Sequence, residues 1–254
     1  MKNFLKSLVN KALGYLNLKI IRNSNLETSA LPVETKSEIK KIIKVSNQYS
    51  MTGEKRMYAL YQAILNAKIN NLEGDFVECG VWKGGNILLY SLLNNFFNLD
   101  KSIYAFDTFE GMTAPEEIDV NYQGYSASNA MEKSKKKENE MNVHCFSSIE
   151  MVKTNILQHT SINNIKFVKG PVEQTLLKEE NLPKKISVLR LDTDFYSSTK
   201  IELKILYPKL INGGILIVDD YGYWQGARKA VDEYFNEKKI LHIVDQTCRY
   251  IIKD

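Results

Sequence analysis

Cysteine is scarce, with only Cys79, Cys145 and Cys248 in 254 residues. An odd, scattered set has no metal-ligand spacing and implies no disulfide framework, which points to a reducing, cytoplasmic setting. Long apolar runs are also missing. None approaches the ~20 residues needed for a helix to span a bilayer. Excess charge is missing as well: a formal net charge of +4 is too mild to argue for nucleic acid. Only three histidines occur, His144, His159 and His242, and none stands in a pattern that suggests a metal site. There are no internal repeats. What remains is an ordinary globular composition, 44% hydrophobic and 25% charged, long enough for one large domain with appendages.

Two stretches concentrate the chemistry. Leu189 to Thr199, LRLDTDFYSST, closes an apolar run with Asp192 and Asp194, and Val218 to Gly222, VDDYG, closes another with Asp219 and Asp220. Each reads as a buried parallel strand tipped with acid. In open α/β sheets, ligands bind beyond the carboxyl ends of the strands. Like charges ~4 Å apart at an effective dielectric of ~20 cost roughly 4 kcal/mol per pair, so four carboxylates there need a counter-ion. Oxygen ligands of this kind suit Mg²⁺, Mn²⁺ or Ca²⁺. Arg190 lies inside the first of these strands and needs a carboxylate partner; Glu78 is the expected one.

The rest of the chain alternates strand and helix from Gly74 onward. Strands are expected at Asp75 to Cys79, Ser102 to Asp107, Ile165 to Lys169, Lys185 to Asp192 and Gly214 to Asp219. Helices are expected at Ser37 to Val45 (capped by Ser37), Met57 to Asn70, Gly84 to Phe97, Ser148 to His159, Ser197 to Leu210 and Gly226 to Glu237. Ile240 to Val244 and Cys248 to Ile252 read as a hairpin that puts an antiparallel strand in a mostly parallel, seven-stranded sheet with helices on both faces. The run Lys133 to Glu140 reads as a solvated helix face. The stretch 113–145 reads as a lid-like insertion in a domain spanning 37–254.

Residues 1–36 read as a basic amphipathic helix, Met1 to Arg22, followed by a linker. Its lysines suit an anionic membrane surface, which would place the protein at the inner face of the membrane. The commoner use of such a face is packing, here on its own domain or on a second subunit of a homo-oligomer.

The first strand ends in Val77-Glu78-Cys79-Gly80-Val81-Trp82-Lys83-Gly84-Gly85. This is neither G-x-G-x-x-G nor a P-loop. Asp107 ends the next strand, where an acid accepts hydrogen bonds from ribose hydroxyls. Glu78 would repel a pyrophosphate, so a donor with an amino group, a sulfonium and a ribose fits better: S-adenosylmethionine.

These residues, with Met51-Thr52 to Arg56, Phe106-Asp107-Thr108-Phe109-Glu110-Gly111-Met112, Leu191 to Thr199 and Asp219-Asp220-Tyr221, resemble the macrocin O-methyltransferase family in order from about Tyr49 to the C-terminus. The resemblance implies a Rossmann-like class I methyltransferase fold and Mg²⁺-dependent methylation of a sugar hydroxyl. It implies Asp192, Asp219 and Asp220 as metal ligands (Mg²⁺ or Mn²⁺) and Asp194 as general base. Glu78, Gly80, Gly84, Asp107, Thr108, Gly170, Val172, Met51 and Thr52 are the expected cofactor contacts. The stretch 113–145 departs from the antibiotic-tailoring members, so the acceptor stays open: a glycan, a polysaccharide or a glycosylated metabolite. Two alternatives are a catechol-type acceptor, which also offers vicinal oxygens, and a non-catalytic cofactor-binding subunit of a glycan assembly complex.

Overall fold

In the computed structural model, residues 31–236 and 238–254 are described. The expected helix Met1 to Arg22 lies outside them. Among the described residues no helix is long and apolar enough to cross a membrane.

Five parallel strands and a C-terminal hairpin form one seven-stranded sheet in the order β3-β2-β1-β4-β5-β7-β6. They are β1 (Asp75–Cys79), β2 (Ile103–Asp107), β3 (Ile165–Lys169), β4 (Ile186–Leu191), β5 (Leu210–Val218), β6 (His242–Ile243) and β7 (Arg249–Ile252). β7 runs antiparallel to β5, and β6 antiparallel to β7, as the hairpin pattern requires. Strand order reverses between β1 and β4, the crevice in which a doubly wound sheet takes its ligand. The central strands earn their place by composition: all six residues of β4 and four of the five in β1 are buried. Strands covered on both faces need near-continuous apolar sequence rather than alternation.

The helices are α1 (Ser37–Asn47), α2 (Gly53–Ile69), α3 (Gly85–Phe97), α4 (Ala127–Lys133), α5 (Ile149–Leu157), α6 (Val172–Thr175), α7 (Tyr196–Leu206) and α8 (Gln225–Phe235). Several boundaries differ from expectation. α2 begins four residues before Met57, and neither Ser50 nor Thr52 caps it through its side chain; Ser50 Oγ instead accepts from the Thr52 N–H at 3.1 Å. Ser37 is the first residue inside α1 rather than its cap, and its hydroxyl donates to Glu38. β5 starts at Leu210, absorbing Gly213 and Gly214 into the strand, because hydrogen bonds to Lys253 hold that stretch beside the C-terminus.

The insertion is tied down at several points. It carries a helix, α4, that the polar sequence did not suggest. The charge run beyond Lys133 is not helical, and the reading of it as a helix face is corrected: α4 stops at Lys133 and Ser134 is extended. Asp119, 1% exposed, accepts from the Glu116 N–H at 2.7 Å and the Tyr196 N–H at 2.9 Å. It thereby satisfies an orphan donor at the start of α7. The Met112 N–H reaches His144 O at 2.8 Å, and the Gln225 N–H reaches Val120 O at 2.9 Å. The insertion is thus hydrogen-bonded to α7 and to the start of α8, and its end residues Thr113 and Cys145 line the crevice.

Candidate active site

Backbone pairing continues one residue past each strand and brings the chemistry together. The Gly80 N–H bonds Phe106 O, the Asp192 N–H bonds Cys79 O, the Asp219 N–H bonds Leu191 O and the Gly170 N–H bonds Asp107 O, at 2.8–3.0 Å. Gly80 has φ +86°, and a Cβ there would lie 2.1 Å from Asp192 O. No side chain fits in that space. The glycine therefore lets the first loop lie directly against the acid-tipped strand.

Above these strand ends is a cavity of about 330 Å³. Met51, Thr52, Gly80, Asp107, Thr108, Gly170, Val172, Asp192, Asp194, Asp219 and Asp220 all line it, so eleven of the thirteen expected site residues share one crevice. Glu78 and Gly84 do not. Glu78 is 1% exposed, its Oε1 held by Arg190 and by Asn86 Nδ2 (3.1 Å) while Oε2 is buried without a partner. Glu78 thus stands behind the cavity lining, with Arg190 and Asn86 on one oxygen; its expected contact with the amino end of the cofactor is a proposal for the unpaired Oε2. Gly84 packs beneath the loop: it has φ +91°, and a Cβ would come within 2.9 Å of Val152 Cγ1. The glycine serves the turn and the close packing against α5, and its expected backbone contact with the cofactor stays a proposal.

Asp107 Oδ2 accepts from the N–H groups of Val81 (2.6 Å) and Trp82 (3.2 Å), and Oδ1 from that of Phe109 (2.7 Å). It organises the glycine-bearing loop as well as facing the cavity. Burial raises its pKa against these hydrogen bonds, which pull the other way. Thr108 donates its hydroxyl to Gly111 O at 2.6 Å. His144 does not line the cavity; its ring nitrogen bonds Ser134 O at 3.1 Å inside the insertion.

The acids divide differently from the two-strand pattern. Oxygen atoms of Asp192, Asp194 and Asp220 all lie within 4.8 Å of one another. Asp219 is the most buried of the four, and its Oδ2 is taken by Arg56 Nη1 (2.9 Å) and Arg190 Nη2 (2.7 Å), leaving Oδ1 without a partner. Arg190 also bonds Asp192 Oδ2 at 2.9 Å, so one guanidinium joins Glu78, Asp192 and Asp219. Arg56 escapes a reading by sequence. From the start of α2 it bridges Asp219, Asp245 (2.8 Å) and the Thr247 hydroxyl, coupling the hairpin link to the acids. Its partners are 163 to 191 positions away, so no local pattern could mark it.

Backbone strain collects here too. Trp82, Asp194 and Cys145 line the cavity with φ of +46°, +70° and +45°. Such conformations cost about 1–3 kcal/mol each and persist where the surroundings impose them.

Burial, with the charge of Asp192 next in importance, pushes Asp194 up to about 7. Burial likewise raises Asp192 and Asp220 well above the carboxylate range. Asp219 goes the other way: burial would raise it, but Arg190 and Arg56 outweigh that and hold it low. Three raised groups keep protons in the folded protein that the unfolded chain releases above about pH 4. The folded state then binds more protons, so stability falls as pH rises from about 4 to 7 and beyond. Asp219 has the opposite sign, but its contribution is already complete above its unfolded pKa and is lost only in stronger acid. In chelator-treated protein, the melting temperature is therefore expected to fall between about pH 5 and about pH 8, and added Mg²⁺ should remove most of the fall. Scanning calorimetry showing a flat or rising profile would mean that the acids ionise without a counter-ion.

With this geometry in view, three relatives bear on the chain. It is 33% identical to demethyldecarbamoylnovobiocin O-methyltransferase of Streptomyces niveus over 197 residues, covering 74% of this chain and 68% of that one. It is 30% identical to 8-demethyl-8-(2,3-dimethoxy-alpha-L-rhamnosyl)-tetracenomycin-C 4'-O-methyltransferase of Streptomyces olivaceus, covering 73% of this chain and 67% of the relative. The solved structure of the O-methyltransferase NovP superposes with a TM-score of 0.68 at 30% identity, covering 81% of this chain and 82% of that one. The Macrocin-O-methyltransferase (TylF) family matches residues 16–253. The seven-stranded sheet with its reversed order, the glycine loop laid against Asp192 and the acids at the strand ends are thus those of a methyltransferase, and the chain belongs to the macrocin O-methyltransferase family.

Proposed function

We propose that the protein transfers a methyl group from S-adenosylmethionine to a hydroxyl of a sugar in a glycan or glycosylated metabolite, with a divalent cation held by the acid cluster. The observation that carries this reading is the convergence of Asp192, Asp194 and Asp220 within 4.8 Å, on the wall of a cavity that Gly80 and Asp107 also line. The relatives named for O-methylation, one of them on a rhamnosyl-bearing product, support the acceptor class.

The residues fit a hard cation. The donors are all carboxylate oxygens, and the buried Asp219 Oδ1 has no partner among the described residues. Asp192 and Asp220 would hold Mg²⁺ or Mn²⁺, with the free Oδ1 of Asp219 as the third oxygen if Asp194 acts as the base, or Asp194 itself, which converges with them, as the third ligand. Bound there, the cation would offset the crowded negative charge and make an acceptor hydroxyl more acidic.

The chain's own groups then divide the work. Asp194, whose carboxyl lies beside those of Asp192 and Asp220 on the cavity wall, is the group placed to accept the hydroxyl proton. As the hydroxyl proton passes to Asp194, the oxygen attacks the sulfonium methyl, the S–CH3 bond breaks with its electron pair left on sulfur, and S-adenosylhomocysteine departs. Gly80 and Asp107 shape the donor side, while Tyr223 forms part of the acceptor side. Its ring meets Tyr122 of the insertion edge-on, with centroids 5.7 Å apart, and Tyr122 is 59% exposed. Aromatic faces so presented suit the apolar face of a sugar ring. Holding donor and acceptor in line can supply up to ~7–11 kcal/mol of the barrier.

The test is mass spectrometry of glycosylated acceptors incubated with purified protein and S-adenosylmethionine, with and without chelator. One added methyl group that disappears with chelator and returns with Mg²⁺ is the expected result. Methylation that is indifferent to chelator would remove the cation, and preference for a catechol over sugars in competition would remove the acceptor class.

A further inference from the structure

Glu202 has no part in the transfer, yet it is completely buried. It stands on α7 beside the buried Leu203 and close to the buried Leu206, a position where an apolar residue would be expected. Its Oε1 accepts from the Thr193 hydroxyl at 2.9 Å, and Oε2 has no partner. Burial pushes its pKa upward, against the hydrogen bond from Thr193.

Thr193 is the residue between Asp192 and Asp194. Its carbonyl accepts the Phe195 N–H at 2.8 Å and the Ser198 hydroxyl at 3.3 Å. Both its hydroxyl and its carbonyl are therefore tied to α7 or to the residue that leads into it. The two flanking aspartates line the cavity, and Asp194 does so from φ +70°. A non-glycine residue stays in that region only where its surroundings over-determine it. Mutual repulsion among Asp192, Asp194 and Asp220 works against the arrangement, so the turn needs an anchor outside the acid cluster.

We propose that Glu202 is a positioning residue that, through Thr193, fixes the Asp192-Thr193-Asp194 turn to α7 so that both carboxylates converge with Asp220. The inference rests on the cation reading above. A buried polar group without a second partner is a poor way to stabilise a core. It is a good way to specify one conformation of the residue it bonds. Glutamine preserves the acceptor oxygen and the shape; leucine preserves the volume and removes the acceptor. Leucine in that apolar setting should not harm folding, so a defect would reflect the lost hydrogen bond.

The experiment is calorimetric titration of Mn²⁺ alone into the full-length wild type, E202Q, E202L and T193V, together with amide hydrogen exchange of the segment 192–199. E202Q is expected to bind Mn²⁺ as the wild type does. E202L and T193V should bind about 10-fold more weakly, as variants of groups that orient metal ligands do. Their amides at 192–195 should exchange faster, while affinity for S-adenosylmethionine stays unchanged. Wild-type Mn²⁺ affinity in both E202L and T193V would overturn the proposal, as would an equal loss in E202Q and E202L. Were the wild type itself not to bind Mn²⁺, the cation reading would fall. The exchange data would still decide the anchor, and unchanged exchange in E202L would overturn it.

Discussion

Replacing Asp192 or Asp220 by alanine should reduce methyl transfer by three or more orders of magnitude while leaving the fold intact. Each removes one of the three carboxylates that meet within 4.8 Å, and each would take a ligand from the cation. Both lie at the cavity wall, Asp192 with its side chain 21% exposed. Removing Asp220 relieves repulsion, so stability without cation should hold or rise, whereas Asp192→Ala also takes one oxygen from Arg190 and should lower stability modestly. A loss of about 4 kcal/mol in transition-state stabilisation corresponds to roughly a thousandfold in rate. The measurement is turnover against Mg²⁺ concentration, with the melting temperature as control. Near wild-type turnover in both variants would sink the metal site. Asp219→Ala is a less clean probe. It would inactivate too, but it also leaves Arg56 and Arg190 without the oxygen they share, so loss of activity and loss of stability would arrive together.

Arg190→Met should be strongly destabilising. Arg190 is 1% exposed and joins Glu78, Asp192 and Asp219. Methionine fills much of the volume but leaves Glu78 and Asp219 buried and less compensated. Breaking a buried ion pair from one side costs about 3–5 kcal/mol. Protonation of Glu78, already raised to about 7 by burial, would recover some of this at low pH. The deficit should therefore be larger at pH 8 than at pH 6, roughly following the carboxyl titration. Arg190→Lys should restore only part of it, since an ammonium cannot present the planar fork that serves three carboxylates at once. Denaturant unfolding of the three proteins checks both points; a loss below about 1 kcal/mol in the methionine variant would show that the network is dispensable.

Much of this molecule is written locally. β1 and β2 fall within a residue of where apolar runs place them, because strands covered on both faces need unbroken apolar sequence, and the edge strand β3, IKFVK, is marked instead by its alternation of apolar residues and lysines. Ser148 caps α5 through its side chain, accepting from the Met151 N–H. Pairing Arg190 with Glu78 needed only two rules: a charge inside a buried strand must have a partner, and the first and fourth strands adjoin. The crevice was legible for the same reason, since residues at the carboxyl ends of parallel strands gather on one edge of the sheet.

What local sequence could not convey depends on distance along the chain. Arg56 reaches acids and a hairpin link more than 160 positions away. Asp119 of the insertion, not a residue of the LDTDF segment, meets the first N–H of α7. The sequence by itself determined the class of sheet, the edge where the ligands meet and the kind of atoms waiting there, since these follow from hydrophobic period and residue type. Only the tertiary structure decided that Glu78 stands behind the wall, that Asp219 is shared by two arginines and that Asp194 joins Asp192 and Asp220. Those outcomes turn on which charged atoms approach within about 3–5 Å, and coulombic energy inside a protein changes by kilocalories over that range.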